Sequence, residues 1–226
     1  MNFKGLIFDC DGTVADTMPL HWIAWQAITS KHGLHFPEDR FYSFGGVPTR
    51  DILKMLSEEQ GVPLDPLAVS HEKEAVYLPL IPKVTPIEVV VQVARENYGK
   101  VPMAVASGGM KHIIEQVLNH LGIRHFFDAV VTSEDVVHQK PAPDIFLEAA
   151  RRIGVDPKFC RAYEDTDLGM RAIRDAGMEA IDVRDLLAGR TPASRAGARS
   201  VSSAIVSEHP IPSQQEISKH TGTSAL

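Results

Sequence analysis

The chain of 226 residues has only two cysteines, Cys10 and Cys160, far apart and in no CxxC pair. That excludes a disulfide framework and a zinc knuckle, and fits a reducing cytoplasm. Long apolar runs are missing too. The longest stretches, such as residues 87–94, are interrupted by Glu88 and Gln92 and fall far short of the ~20 residues that span a bilayer. The N-terminus has neither an apolar h-region nor a small-residue cleavage site, so no export signal is expected. Basic charge is in deficit: 23 Lys and Arg residues face 29 Asp and Glu, a formal net charge of −6. With a pI near 5.9, no positive field draws this protein onto nucleic acid. Neither GxxxxGK[ST] nor GxGxxG occurs, and no histidine pair has HExxH spacing, which argues against Walker-type nucleotide binding and zinc hydrolysis.

What is present is an ordinary globular composition, 44% apolar and 23% charged, with a mean hydropathy of −0.08. The length allows one large domain, or a core carrying an insertion. Short apolar runs alternate with longer amphipathic stretches, the pattern of βα units that build a parallel sheet. Strands are predicted over residues 5–8, 101–106, 129–132, 159–163 and 180–183. Crossover helices are predicted over 87–97, 111–121, 143–153 and 166–176, with Pro143 in a first turn and Gly154 and Gly177 as stops. Residues 16–85 are too long for one crossover and have helical periodicity. Trp22, Trp25 and Ile28 share one face, Ile52, Leu53 and Leu56 another, and Pro37, Pro48, Pro63 and Pro66 mark breaks. This is a helical insertion. From Ala188 onward Ser, Ala, Gly, Thr and Pro dominate and no aromatic residue occurs, so a disordered tail is expected over 188–226. The competing expectation is that residues 201–206 dock as an extra strand.

Open α/β sheets bind ligands at the carboxyl ends of their strands, and there the sequence keeps Asp9, Asp11, Ser107, Lys140, Glu164 and Asp165. Each alone has a plain explanation, as a turn residue, a helix cap or a solvated loop charge. Together they supply two acidic pairs, a hydroxyl and a lysine from four strand exits. That is the inventory for a hard divalent cation and a phosphoryl group.

At these positions the sequence resembles the haloacid dehalogenase superfamily of phosphotransferases. The resemblance rests on Asp9-x-Asp11-Gly12-Thr13, Ser107, Lys140-Pro141-x-Pro143-Asp144 and Glu164-Asp165-x-x-x-Gly169, in the family's order. It covers residues 3–187 and looks like the β-phosphoglucomutase branch, closest to sugar phosphatases of the fructose-1-phosphate phosphatase type, with Asp16-Thr17 and His21 after the first motif. The fold it implies is α/β: a Rossmann-like core with a parallel sheet (residues 1–15 and 86–187) and a helical cap inserted after the first strand (residues 16–85).

The resemblance implies that Asp9 is the nucleophile that forms an aspartyl-phosphate, and that Asp11 is the general acid and base. It implies Mg2+ as cofactor, bound by Asp9, the Asp11 backbone carbonyl and Asp165, with Glu164 acting through water. Ser107, Gly108 and Lys140 are implied phosphate binders, and Gly12 lets the backbone approach closely. Substrate-reading candidates are Thr17, His21, Gly46 and Arg50, the last able to clamp a hydroxyl pair or a second phosphate. Lys73 and Lys83 are expected to be solvated, and Cys10 to be a small core side chain. Thr85-Pro86-Ile87 and Gly108-Gly109 depart from the branch pattern, and Arg161 falls unexpectedly inside a core strand.

The activity implied is a Mg2+-dependent phosphatase of a small sugar phosphate. The alternatives are a β-phosphoglucomutase-type mutase and a non-catalytic phosphate-binding module. The partner expected is a small phosphorylated metabolite, with no nucleic acid or membrane, for a cytoplasmic monomer or weak dimer.

Overall fold

The four residues of β1 (Gly5–Phe8) are all buried, as a parallel strand covered on both faces requires. The computed structural model describes residues 3–188. After β1 come β2 (Ala15–Asp16), α1 (Met18–His32), α2 (Glu38–Ser43), α3 (Thr49–Gln60), α4 (Pro66–Tyr77) and a 3-10 segment, Leu78–Lys83. Then follow β3 (Thr85–Pro86), α5 (Glu88–Asn97), β4 (Met103–Ala106), α6 (Lys111–His120), β5 (Ala129–Val131) and α7 (Asp144–Arg152). The chain continues through β6 (Cys160–Glu164), α8 (Asp167–Asp175), β7 (Glu179–Asp182) and α9 (Val183–Ala188). The tail expected over 188–226, and the alternative strand over 201–206, lie from residue 189 onward outside the described residues.

The main sheet is parallel, in the order β5-β4-β1-β6-β7. Between β5 and β6 the chain crosses from one side of β1 to the other. That crossing makes a topological switch point at the carboxyl end of β1, where a ligand crevice is expected. The crossover helix α7 shows why the sheet stays covered. Its Ile145, Phe146, Ala149 and Ala150 are buried at helical spacing, while Asp144 opens the first turn and Arg151 and Arg152 close the last, matching the helix dipole. They pack on Ile7, Ala104, Val131 and Ala162 in one apolar cluster.

A second cluster forms entirely within the helical segment, around Trp25, Ile28, Phe36, Phe41, Leu53 and Leu56, with the half-buried Trp22 against it. The expected faces of α1 and α3 are thus the ones that meet. The segment's helix starts are also chemically defined: Asp65 caps α4 by accepting from Leu67 N at 2.9 Å and Ala68 N at 3.3 Å, with Pro66 in the first turn. Its two ends are tied by the antiparallel pair β2–β3, where Ala15 faces Pro86 and Asp16 faces Thr85. Two-residue strands carry no readable alternation, so this pair went unforeseen. Arg161 also finds its reason here: it forks onto Glu179 of the neighbouring strand at 3.0 and 2.9 Å and lies over the Phe3 ring. Among the described residues no helix is long and apolar enough to cross a membrane.

Phe146 is fully buried between α7 and the sheet, so Phe146→Ala is expected to destabilise the fold by about 4 kcal/mol. Urea unfolding checks this, and a loss under about 1 kcal/mol would contradict the packing described.

Candidate active site

Asp9 follows β1 directly, and its backbone N–H donates to Tyr163 O at 3.0 Å, so the residue is fixed by the neighbouring strand. Glu164 ends that strand and Asp165 follows it. One oxygen from each of Asp9, Glu164 and Asp165 falls within 4.8 Å of the others. Between two of them sits Lys140, whose Nζ donates to Asp9 Oδ1 and to Glu164 Oε2, both at 2.7 Å. Its side chain is 1% exposed, and the ammonium also lies 5.1 Å from the centre of the Phe146 ring.

Two glycines make this crowding possible. A Cβ at Gly169, in the first turn of α8, would collide with the Glu164 carboxyl, and one at Gly12, where φ is +82°, would collide with the Asp165 carboxylate. The glycines of both sequence motifs are therefore spaces filled by carboxylates. Glu164 is saturated by protein donors: Oε1 accepts from Thr166 Oγ1 at 2.7 Å and from the amides of Thr166 and Asp165. Thr13 Oγ1 donates to Asp165 Oδ1 at 2.9 Å. The sequence reading gave Thr13 no such role, and a Thr after the glycine of the motif was the one available hint.

Burial, and then the Glu164 charge, push the carboxyls of both Asp9 and Asp165 above the ordinary range, against the pull of Lys140. Two acids so disposed are short of positive charge. Oxygen donors this close, buried and under-neutralised suit a hard divalent cation, so Asp9 and Asp165 fit as direct ligands. Glu164 fits as the residue that anchors Lys140 and the loop beside them.

Asp11 is held differently. Thr17 Oγ1 donates to its Oδ1 at 2.7 Å, His21 Nε2 lies 3.4 Å from the same oxygen, and Ser107 Oγ lies 3.5 Å from Oδ2. Thr17 stands at the start of α1 without capping it, because its hydroxyl is turned to Asp11. Burial alone would raise the Asp11 carboxyl, but the His21 hydrogen bond and charge, Thr17 and Lys73 outweigh it and draw the pKa down to about 2. Asp11 is thus a carboxylate here. An anionic phosphoryl group arriving beside it would raise its proton affinity, the change an acid and base needs.

Of the remaining candidates, Ser107, Gly108 and Gly46 share one cavity of about 90 Å³ with Asp9, Asp11 and His21. Gly46 has φ +84°, and its carbonyl passes so close to Gly108 that a Cβ there would lie 3.0 Å from it. Gly108 thus admits the backbone of the helical segment, whereas a Cβ at Gly109 would collide with the Ile114 side chain of α6. Arg50 is not brought in. It is 58% exposed in its side chain, paired with Asp51, and does not line the cavity.

Lys73 overturns its expectation in the opposite sense. It is 2% exposed, with Nζ 2.8 Å from His21 Nδ1 and 3.0 Å from Glu74 Oε1. His21 is stacked on Tyr77 at 3.8 Å between ring centres, and burial, followed by the Lys73 charge, lowers its pKa. A chain of polar contacts therefore runs from Asp11 through His21 and Lys73 to Glu74. Cys10 is buried as expected.

Helix glycine to alanine changes usually stabilise by about 1 kcal/mol, but Gly169→Ala is expected to destabilise this protein by about 2 kcal/mol, because the Glu164 carboxyl occupies the space. Thermal or urea unfolding reads the sign, and a stabilised variant would contradict the geometry.

Comparison with known proteins agrees with this geometry. Residues 6–183 match the family model of haloacid dehalogenase-like hydrolases. The chain is 45% identical over 183 residues to the fructose-1-phosphate phosphatase YqaB of Escherichia coli, covering 80% of this chain and 97% of that protein. It is 31% identical over 192 residues to the β-phosphoglucomutase of Bacillus subtilis, covering 80% and 83%. The crystal structure of β-phosphoglucomutase from Clostridium difficile superposes with a TM-score of 0.71 at 27% identity, over 80% of this chain and 84% of that one. With its model matched over both halves of the sheet and all four motif regions, the chain belongs to the haloacid dehalogenase-like hydrolase family.

Proposed function

We propose that this protein is a Mg2+-dependent phosphatase that hydrolyses a small sugar phosphate through an aspartyl-phosphate on Asp9. The observation that carries the reading is the convergence of four strand exits on one point. Lys140 bonds Asp9 and Glu164 at 2.7 Å, while Ser107 Oγ lies 3.5 Å from Asp11, two residues beyond Asp9. The 45% identity to a fructose-1-phosphate phosphatase supports a sugar phosphate as substrate.

In this reading an Asp9 carboxylate oxygen attacks phosphorus in line and the bond to the ester oxygen breaks. Asp11, protonated once the anionic ester is bound beside it, gives that proton to the departing sugar oxygen. It then takes a proton from the water that attacks the phosphorus of the aspartyl-phosphate, and inorganic phosphate leaves with Asp9 restored. Lys140, fixed in advance between two carboxylates, offsets charge on the phosphoryl oxygens, and Ser107 donates to one of them. Asp9 and Asp165, the latter oriented by the Thr13 hydroxyl, would hold Mg2+, which would supply further charge neutralisation. Residues 16–85 serve as a cap that places Thr17 and His21 on Asp11 and excludes water while the sugar is bound.

Phosphate release from a panel of sugar phosphates, fructose 1-phosphate first, is expected to require Mg2+ and to stop with EDTA. Asp9→Asn is expected to lower kcat by about a thousandfold or more; activity that survives it would overturn the assignment of the nucleophile. Mg2+ at about a hundred times its Kd is expected to raise Tm by roughly 5 °C, a shift that Asp165→Asn abolishes. An unchanged Tm in the parent protein would count against the cation site.

A further inference from the structure

The cations that line the cavity from the helical segment are already engaged. Lys73 is shared between His21 Nδ1 and Glu74 Oε1, and Thr49 Oγ1 reaches the same Glu74 oxygen at 3.5 Å. Arg50, the next residue on α3 after Thr49, is outside on Asp51. The second oxygen, Glu74 Oε2, has no hydrogen-bond partner although it is buried. Glu74 is 7% exposed and belongs to the cavity wall, together with Thr49 and Lys73. A buried acceptor without a donor is costly, and a hydroxyl presented from the cavity would satisfy it with a charge-assisted bond.

We propose that Glu74 is a specificity-determining residue: its Oε2 accepts a hydroxyl from the uncharged polyol part of the phosphate ester, and its charge turns away esters that carry a second phosphate. The inference rests on the phosphatase reading above and narrows its substrate class. Lys73 is the side chain on this wall suited to a second phosphate, and Glu74, bonded to it, neutralises it. A bisphosphate entering phosphate first would bring its far end against a carboxylate in a water-poor cavity, with like charges juxtaposed. A phosphomutase, which must hold a sugar bisphosphate, needs an unopposed cation at this wall. The structure places an ion pair there, which favours hydrolysis of monophosphates.

The test is steady-state kinetics of the full chain with Mg2+. The substrates are the best sugar monophosphate of the panel, the bisphosphate of the same sugar, and 4-nitrophenyl phosphate as an ester without hydroxyls. The parent protein is expected to favour the monophosphate over the bisphosphate by about a hundredfold or more in kcat/KM. Glu74→Gln is expected to raise KM for the monophosphate about tenfold and, with the opposing charge gone, to raise kcat/KM for the bisphosphate about tenfold, so that the preference shrinks about a hundredfold. Glu74→Asp, which keeps the charge but withdraws the oxygen, should lose monophosphate affinity yet retain rejection of the bisphosphate. A purely structural role would alter both substrates alike and leave their ratio intact.

A parent protein that turns over the bisphosphate as readily as the monophosphate overturns the inference without any variant. So does a folded Glu74→Gln protein with the parent's ratio. If 4-nitrophenyl phosphate and the sugar ester are still hydrolysed in those cases, the phosphatase reading stands and this inference alone falls. A parent protein that hydrolyses no ester overturns both.

Discussion

Three carboxylates meet at the ends of β1 and β6, and the Lys140 ammonium, 2.7 Å from two of them, makes that meeting tolerable. Buried acids at this separation would otherwise repel one another with little solvent to screen them. Lys140 arrives on the loop between β5 and α7, the connection that crosses over β1 to start the second half of the sheet. The sheet order, the placement of α7 and the ring of Phe146 beneath the ammonium all serve this contact. Gly12 and Gly169 answer the same demand from the other side, since both leave room for carboxylates. The neutralisation is incomplete: Asp9 and Asp165 remain raised. That residual demand for positive charge is what suits the centre to a cation and a phosphoryl group.

The second feature is the division of labour between two aspartates only two residues apart. Asp9 is held by the core, through Tyr163 and Lys140. Asp11 is held largely by the helical segment, through Thr17 and His21. In the proposed mechanism this ties proton transfer by Asp11 to the seating of the helical segment. The short pair β2–β3 fixes where the segment leaves and rejoins the sheet, and Gly46 and Gly108 let the two parts approach at backbone distance. Lys73 backs His21 from α4 on its other ring nitrogen, so the lysine belongs to the same set of contacts.

Much of this was legible in the sequence, for reasons that can be named. Strands β1, β4 and β5 are unbroken apolar runs that stop at charged or polar residues, and Asp9, Ser107 and Glu164 stand at or beside strand ends. The helical faces of α1 and α3 were readable because Trp25, Ile28, Leu53 and Leu56 repeat at helical spacing. What escaped depends on contacts between distant positions. Lys73 lies next to Glu72 and Glu74 and reads as a solvated charge, and its burial arises only when α4 packs against α1 and meets His21, 52 positions away. Arg50 is the converse: four residues after Gly46, at the end of a glycine-containing loop, it reads as a ligand clamp, but the first turn of α3 leaves it paired with Asp51 and exposed. Arg161 was opaque because its partner Glu179 sits on another strand.

The central claim is that Asp9, the carboxylate gripped by Lys140, receives the phosphoryl group. The most direct measurement is acid quenching during turnover of a sugar phosphate, followed by mass spectrometry of the peptide that carries Asp9. The account expects a fraction of that peptide to bear one phosphoryl group on Asp9, labile to hydroxylamine as an acyl phosphate is, and absent when substrate is omitted. Turnover with no such adduct under quench conditions that preserve acyl phosphates, or an adduct on a different side chain, would contradict it.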